Sequence, residues 1–253
     1  MSSKISTLTF SDTISLSARE ELFNKFQNYN APIDEIERSM ALFLRGSQLA
    51  RILAIQEIYL QIVDIPGSIF DIGTWRGSTA VLCENLRAIY EPLNFQRHIY
   101  AFDTFEGYNG FQKNENKIAN INNGKYKVEN DYDEFLANLL ALHEKNNAMG
   151  HITGKHSVIK GDVLQTIPKV LHENGGLSIS LALFDLNCYQ PTLETLKEIE
   201  TRLLKGGIIA FWQFGRKEIQ AEAKVFYELL HKNIDYSIHK CKSYPSLVYI
   251  KKV

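Results

Sequence analysis

The sequence predicts an α/β protein with an open, doubly wound sheet that is mostly parallel, an antiparallel hairpin at its C-terminal edge, and an N-terminal helical cap. Two observations support this prediction. From Ser68 onward, short apolar segments alternate with amphipathic stretches, which is typical of successive βαβ crossovers. The segments Leu181–Phe184 and Ile208–Phe211 are apolar at every position, as expected for central parallel strands that are buried on both faces.

The composition is that of an ordinary globular protein, with 45% hydrophobic and 23% charged residues in 253. A net charge of −1 without a basic block argues against a nucleic-acid partner. The three cysteines share no short spacing, which favours reduced thiols over a disulfide framework or a zinc site. No apolar run approaches the roughly 20 residues that span a bilayer, and residues 1–16 do not resemble a signal peptide. We therefore expect a cytoplasmic protein without a membrane partner.

Three amphipathic helices are predicted ahead of the first strand. Ser17–Glu20 has the S-x-x-E form of a capping box, a second helix is expected to begin near Pro32, and a third to run from Ser47 to Val63. Together they form a predicted helical extension, residues 1–64, ahead of a main domain at residues 65–253. These helices could cover a ligand site or form a subunit interface, so a homodimer through them is one possibility.

The main domain is predicted to alternate five strands with five helices and to end in a hairpin. The predicted strands are 68–71, 98–103, 156–160, 178–185 and 207–212; the predicted helices are 78–90, 131–145, 163–173, 192–204 and 217–232; the hairpin strands are 236–240 and 247–251. Residues 108–130 are rich in Asn, Gly and Lys and lack apolar periodicity. A loop of that length predicts a lid-like insertion, with a solvated segment of no function as the alternative.

The turn after the first predicted strand, within Asp71–Thr79, is the first candidate site. Gly73 and Gly77 would let the backbone pass close to a ligand, and the helix that begins at Ser78 would direct free N–H groups and the positive end of its dipole at that ligand. The Gly-x-x-x-Gly spacing, with Trp75 between the glycines, differs from the G-x-G-x-x-G of nicotinamide dinucleotide sites. A nicotinamide oxidoreductase is therefore disfavoured.

Aspartates follow four of the five predicted parallel strands. Ligands of open α/β sheets bind beyond the carboxyl ends of the strands, so these side chains are expected to converge. Asp103, at the end of the second strand, could accept hydrogen bonds from both hydroxyls of a ribose. The combination predicts a cofactor with ribose and adenine but no pyrophosphate. The four residues are Asp71, Asp103, Asp162 and Asp185.

Together these motifs resemble the class I S-adenosylmethionine (SAM)-dependent methyltransferases, which have a Rossmann-like fold. Within that class the chain is most similar to the macrocin O-methyltransferase group, which methylates sugar hydroxyls of natural products and surface glycans. The resemblance covers residues 45–214 and implies SAM as cofactor, O-methylation in preference to N-methylation, and a small sugar-like acceptor. It is carried by Asp71–Thr79, Ala101–Gly107, Gly161–Asp162, Phe184–Thr192 and Leu204–Phe211.

The resemblance also implies which residues contact SAM. Gly73 and Gly77 would lie beside its methionine part, Asp103 would hold its ribose, and Asp162 would lie near its adenine. The full predicted cofactor set is Asp71, Gly73, Trp75, Gly77, Ser78, Thr79, Asp103, Thr104, Phe105, Gly161, Asp162, Val163 and Asp185.

The acceptor half of the motif departs from the pattern of this group. Relatives carry an acidic pair directly after the fifth strand and a further aspartate after the fourth, and these bind a divalent cation that orients the sugar diol. This chain has Trp212, Gln213 and Asn187 at those positions and retains only Asp185. Because magnesium prefers an octahedral oxygen shell anchored by carboxylates, a divalent metal is not expected.

Five side chains are predicted to contact the acceptor. Asp185 is the candidate catalytic base for the acceptor hydroxyl, with a structural role in its loop as the alternative. Asn187 and Gln213 could hydrogen-bond a hydroxyl, and Tyr189 is expected to shape the pocket wall. Trp212 could line a sugar ring, face the sulfonium through a cation–π contact, or simply fill space. The alternative function is a non-catalytic binding protein that retains the fold and the cofactor pocket.

Overall fold

The computed structural model describes residues 13–108, 124–147, 153–217 and 219–253. The chain divides into two compact units, Met1–Ala50 and Arg51–Val253. Helix α3 (Gly46–Leu60) runs through this division, so the predicted domain boundary at residue 64 stays a prediction. No helix within the described ranges is long and apolar enough to cross a membrane.

The first unit contains short helices whose aromatic side chains pack together. Its elements are α1 (Thr13–Gln27), α2 (Ile33–Ser39), a 3-10 turn (Met40–Phe43) and the start of α3. The Phe43 ring lies 5.3 Å from Phe26 and 5.2 Å from Tyr29, which joins the 3-10 turn to the end of α1. Pro32 precedes α2 as predicted. The predicted capping box is wrong, because α1 begins four residues before Ser17 and already includes it.

The second unit is built on a seven-stranded sheet with the order β3-β2-β1-β4-β5-β7-β6. Strands β1 to β5 are parallel, and β7 is antiparallel to both β5 and β6. This confirms the predicted fold class, including the edge hairpin. The strand order reverses between β1 and β4, which is where ligands bind in such sheets. The strands are β1 (Ser68–Ile72), β2 (Ile99–Asp103), β3 (Ser157–Lys160), β4 (Ile179–Phe184), β5 (Leu203–Phe211), β6 (Tyr236–Lys240) and β7 (Val248–Lys252).

The helices of the second unit connect the strands. They are α4 (Ser78–Tyr90), α5 (Tyr132–Asn147), α6 (Val163–Glu173), α7 (Tyr189–Glu200) and α8 (Ala221–Val225), which continues into a π-helical turn (Phe226–Leu230). α4 and α6 have the predicted bounds. The helix predicted at 192–204 begins three residues earlier, because Pro191 is tolerated in a first helical turn. It also ends earlier than predicted, because Leu203 already pairs with Ile179 in the sheet.

Two apolar clusters cover the two faces of the sheet. One contains Phe70, Phe102 and Phe184, and the other contains Leu181 and Leu183 with neighbouring side chains. Every residue of β4 is buried, which confirms the two-sided burial predicted from its continuous apolar run. The central strands are thus fixed in position, and so are the loops at their carboxyl ends.

Arg97 lies at the amino ends of β1 and β4, at the other end of the strands from the carboxyl ends, and connects several segments there. The Arg97 side chain is 1% exposed. Its guanidinium donates to both carboxylate oxygens of Glu91 (3.0 and 2.8 Å). It also donates to the carbonyls of Gly67 (2.6 Å) and Ile62 (3.0 Å) and to the hydroxyl of Ser180 (2.7 Å). All five donors of the guanidinium are therefore used.

Candidate active site

The turn between β1 and α4 encloses the Asp71 carboxylate, which is 2% exposed. Asp71 accepts hydrogen bonds from the Thr74 hydroxyl and from the backbone N–H of Ala80. The carboxylate thereby ties the start of α4 to the end of β1. Burial raises the pKa of Asp71 to about 7, helped by the charges of Asp185 and Asp103 and opposed by the Thr74 hydrogen bond.

Gly73 and Gly77 are required by neighbouring parts of the protein. Both have positive φ, 84° and 78°. A Cβ at Gly73 would lie 2.8 Å from the carbonyl oxygen of Asp185, and a Cβ at Gly77 would lie 2.1 Å from Cδ1 of Leu136 on α5. The protein's own packing therefore already disfavours a side chain at both positions, in addition to the close approach to a ligand that was predicted. Their contact with the cofactor stays a prediction.

Asp103 stabilises the turns on either side of it. Its Oδ2 accepts the backbone N–H of Trp75 (2.7 Å), and its Oδ1 accepts that of Phe105 (2.8 Å). Both partners have positive φ, 51° and 60°, and these hydrogen bonds compensate for the unfavourable backbone. Burial raises the pKa of Asp103, against the effect of these N–H donors and of a further backbone hydrogen bond from Thr104. A carboxylate has about four lone-pair sites, so acceptor capacity stays available for a ribose hydroxyl.

The remaining predicted cofactor residues follow β1, β2 and β3. Ser78 and Thr79 form the first turn of α4, and the Thr104 hydroxyl donates to the carbonyl of Gly107 (3.3 Å). The Gly161 N–H donates to the Asp103 carbonyl (2.9 Å), and Val163 is the first residue of α6. Asp162 is the N-cap of α6 and accepts the Leu164 N–H at 2.9 Å. A local capping role therefore explains Asp162, and its contact with adenine stays a prediction.

Asp185 follows β4 and lies among the predicted acceptor residues. Its Oδ1 accepts hydrogen bonds from Asn187 Nδ2 (3.1 Å) and Gln213 Nε2 (3.3 Å). Its Oδ2 faces Arg51 Nη2 on α3 at 4.0 Å, and 25% of the Asp185 side chain is exposed. Desolvation by the surrounding protein raises the pKa of Asp185, whereas the positive charge of Arg51 opposes that rise. The structure thus brings three predicted residues together with an arginine that the sequence analysis missed.

The Arg51 guanidinium lies over the ring of Trp212, the aromatic residue that was predicted to contact the substrate. The guanidinium carbon is 4.0 Å from the Trp212 ring centroid and 5.7 Å from that of Tyr244. The Trp212 ring is buried and packs edge-on against Tyr244, with centroids 5.5 Å apart. The cation over Trp212 is thus Arg51, and a role of this tryptophan at the sulfonium or the sugar stays a prediction. No motif surrounds Arg51, so only the need for a charge near Asp185 could have indicated it.

Three side-chain oxygens around Asp185 are buried without a hydrogen-bond partner among the described residues: Asn187 Oδ1, Gln213 Oε1 and Glu222 Oε1. Leaving such a buried polar atom unpaired costs about 1–3 kcal/mol, so a ligand hydroxyl, which can both donate and accept, would be favoured in contact with them. Glu222, on α8, was also missed. Its Oε2 accepts the Gln213 N–H at 2.7 Å, and burial with the nearby Asp185 charge raises the pKa of Glu222 well above its usual range. Burial thus favours the neutral form of Glu222.

The predicted lid begins beside the acceptor residues. Residues 109–123 of the insertion lie outside the described residues. Its two ends pair with each other, since Tyr108 N–H donates to the Lys125 carbonyl and Gly124 N–H donates to the Tyr108 carbonyl, both at 3.0 Å. Asn187 Nδ2 donates to the Tyr108 hydroxyl at 2.5 Å, which joins this end of the insertion to the site. A lid function stays a prediction.

Tyr189, the predicted wall residue, is the first residue of α7. Its hydroxyl donates to a carboxylate oxygen of Glu228 in the π-helical turn. The contact joins α7 to the segment that follows α8. A role of Tyr189 at the acceptor stays a prediction.

The donor set suits a cationic organic ligand better than a metal ion. In the described ranges no group of three or more His, Cys, Asp and Glu side chains is placed to hold a metal. Asp185 has two neutral amides and an arginine as neighbours, whereas magnesium requires several oxygen ligands, usually including carboxylates. The charge of Asp185, by contrast, raises the pKa of both Asp71 and Asp103, and the charge of Asp103 also raises the pKa of Asp71, so a positively charged ligand near these carboxyl groups would be stabilised. SAM carries an ammonium and a sulfonium group and fits this requirement.

The fold and the site define a SAM-dependent O-methyltransferase. The chain belongs to the macrocin O-methyltransferase (TylF) family, whose profile matches residues 21–243. The resemblance seen in the sequence motifs is thereby confirmed. No curated protein sequence matches the chain.

Solved structures agree with the family assignment. The crystal structure of CalS11, a calicheamicin methyltransferase, has a TM-score of 0.88 and 28% identity, covering 96% of this chain and 94% of that chain. The apo structure of CalS11, described as a TDP-rhamnose 3'-O-methyltransferase of calicheamicin biosynthesis, has a TM-score of 0.83 and 28% identity, covering 96% of each chain. The O-methyltransferase NovP, at 14% identity and a TM-score of 0.61 over 81% of this chain and 80% of that chain, shows the fold alone.

Proposed function

We propose that the protein transfers the methyl group of SAM to a hydroxyl of a sugar or glycoside, in the biosynthesis of a natural product or a surface glycan. The observation that carries the proposal is the environment of Asp185. One of its oxygens is bound by two amide donors, and the other is open towards Arg51. The sugar substrate in the description of CalS11 supports this class of acceptor.

Asp185 is the proposed catalytic base. When bound, SAM supplies a methyl group on a positively charged sulfur. A sugar hydroxyl is a weak acid, so its proton must leave as the new O–C bond forms. Asp185 Oδ2 accepts that proton, while the Asn187 and Gln213 amides hold the carboxylate in place through Oδ1. The unpaired carbonyl oxygens of the same two amides accept hydrogen bonds from further hydroxyls of the sugar.

The proposed cofactor site extends along the ends of β1, β2, β3 and β4. Asp103 binds the ribose through its remaining lone pairs, and Asp71 and Asp185 neutralise positive charge. The other proposed contacts are Gly73, Trp75, Gly77, Ser78, Thr79, Thr104, Phe105, Gly161, Asp162 and Val163. Trp212 and Tyr189 complete the proposed walls of the acceptor pocket.

We also propose that the reaction needs no divalent metal, because Asp185 is surrounded by neutral amides and an arginine. A cytoplasmic location is proposed from the three cysteines, which are buried and form no disulfide with one another. The N-terminal extension, residues 1–64, is proposed to pair two copies of the chain, since Phe23, Phe26 and Met40 are exposed apolar side chains. Light scattering should then give twice the chain mass of 28.9 kDa, and a monomer at all concentrations would contradict the dimer.

Calorimetry and mass spectrometry test the function. SAM and its demethylated product should bind and NAD should not; the reverse result would refute the proposal. A panel of nucleotide-activated sugars and glycosides is then incubated with SAM, and methylation is read from the increase in mass. D185N should lose turnover while it retains SAM binding, whereas D64N, at an exposed aspartate, should match the wild type. Tight SAM binding without methylation of any acceptor would instead support the non-catalytic alternative.

A further inference from the structure

The distance between Arg51 and Asp185 matches a single bridging hydroxyl group. Arg51 Nη2 lies 4.0 Å from Asp185 Oδ2, which is too long for a direct hydrogen bond. An oxygen atom about 2.8 Å from both would close a triangle with roughly a right angle at that oxygen. A hydroxyl at this point donates its proton to the carboxylate and accepts a hydrogen bond from the guanidinium.

We propose that Arg51 is the cation of the acceptor site: it donates a hydrogen bond to the acceptor oxygen while Asp185 takes the hydroxyl proton. The inference rests on the proposed function and adds a residue to it. As the proton moves to Asp185, negative charge develops on the acceptor oxygen. A fixed positive group next to that oxygen stabilises the charge, which is the role of a divalent cation in metal-dependent sites.

The guanidinium of Arg51 is held in place before any acceptor arrives. It lies 4.0 Å over the buried Trp212 ring, and Tyr244 supports that ring edge-on at 5.5 Å. A guanidinium is planar, always charged and able to stack on an aromatic face. The N–H groups lie in the plane of the guanidinium, so a guanidinium over an aromatic face can still donate them. The Arg51 guanidinium donates no hydrogen bond to another described residue, and 41% of the side chain is exposed. The methyl-acceptor substrate can therefore reach it.

The other groups around Asp185 also disfavour a metal ion. The Glu222 carboxyl already accepts a backbone N–H through Oε2 at 2.7 Å, and the amides of Asn187 and Gln213 carry no charge. Arg51 places a full positive charge 4.0 Å from the Asp185 carboxylate, and it would repel a divalent cation bound there. Arg216 adds a second positive charge near the same carboxylate. The negative groups Asp71 and Asp103 lie at the ends of β1 and β2.

Variants of Arg51 test the proposal through turnover. R51M retains an apolar stem over Trp212 but removes the charge, so kcat should fall by about 100-fold, the loss typical for one donor to a developing oxyanion. SAM affinity should stay at the wild-type value. R51K retains the charge without the planar fork and should recover part of the lost kcat. The control R202M alters an arginine at the opposite edge of the sheet and should behave as wild type. An unchanged kcat in R51M, with folding verified by thermal unfolding, would overturn the proposal.

Metal binding supplies a readout that does not depend on turnover. The wild-type protein, with and without SAM, is titrated with Mn²⁺ and followed by electron paramagnetic resonance. The proposal expects no saturable site in the micromolar range and a methylation rate that EDTA does not change. A micromolar Mn²⁺ site, or loss of the rate in EDTA, would overturn it.

The two sets of measurements separate the inference from the proposed function. If the wild type methylates no sugar, the proposed function fails, and the Mn²⁺ titration still decides whether a metal binds. If the wild type methylates a sugar and R51M matches it, only the role of Arg51 fails.

Discussion

Replacing Asp71 by asparagine should change how the stability of the free protein depends on pH. Burial raises the pKa of this carboxyl to about 7 from an ordinary value of 3.8. Between these values the native state holds a proton that the unfolded state has lost, so the free energy of unfolding falls as pH rises. At 1.36 kcal/mol per pKa unit, the difference amounts to about 4 kcal/mol by pH 7. D71N cannot titrate and should lose this dependence.

The measurement is urea unfolding of the wild type and D71N between pH 5 and pH 8, with D64N as the control. Other groups contribute to the slope; for example, burial lowers the pKa of His98, so this histidine favours the native state as pH rises. The quantity to compare is therefore the slope of the free energy of unfolding against pH in the wild type and in D71N. If D71N retains the wild-type slope, the account of the Asp71 carboxyl is wrong.

The same carboxyl should couple cofactor binding to proton release. Asp71 is about half protonated at pH 7, and a cationic ligand nearby lowers a carboxyl pKa by about one to two units. SAM binding at pH 7 should then release about 0.4–0.5 of a proton. Calorimetry in phosphate and in Tris detects this release, because the two buffers differ in their enthalpy of ionisation. Equal binding enthalpies in the two buffers would refute the coupling.

Three further predictions concern other buried positions. R97M should lower the free energy of unfolding by about 3–5 kcal/mol, because it leaves a buried carboxylate without its partner; a loss in urea unfolding near that of K169M, at an exposed lysine, would contradict this. G77A should destabilise the protein more than G124A, because both glycines have φ near 79° but only the Cβ at Gly77 meets another side chain; equal losses in thermal unfolding would show that backbone strain alone matters. E222Q should retain wild-type kcat, because burial favours the neutral form of Glu222 and glutamine can still accept the Gln213 N–H; a large loss of kcat would show that the charged carboxylate is needed.

The local sequence pattern was sufficient to predict the sheet and the aspartates at the ends of its strands. The continuous apolar run of β4 predicted a central strand without further information, because a strand buried on both faces has no polar position. The convergence of Asp71, Asp103 and Asp185 followed from the geometry of parallel strands. These features depend on residues close together in the chain or on the topology of the sheet.

Features that depend on contacts between distant elements were not predicted. Arg51 lies on α3, and its approach to Asp185 and Trp212 depends on how that helix packs beside the sheet. Glu222 lies in a segment whose composition resembles a solvated helix, and only the tertiary structure shows its burial. Gly77 was predicted to lack a side chain so that a ligand could approach, and the steric conflict between a Cβ at this position and Leu136, on a helix nearly 60 residues later, was not predicted.

The arrangement around Asp185 has a consequence for regioselectivity. Because both amides bind Oδ1, the carboxylate has one oxygen open to the acceptor, and Arg51 faces that same oxygen. If Asp185 and Arg51 act as proposed, such a site activates one hydroxyl at a time and does not require a vicinal pair, unlike a chelating metal ion. The proposal then implies that the methylated position is selected by the walls of the pocket and by the hydrogen bonds to neighbouring hydroxyls, and that a deoxysugar with an isolated hydroxyl should satisfy the catalytic requirement as fully as a diol.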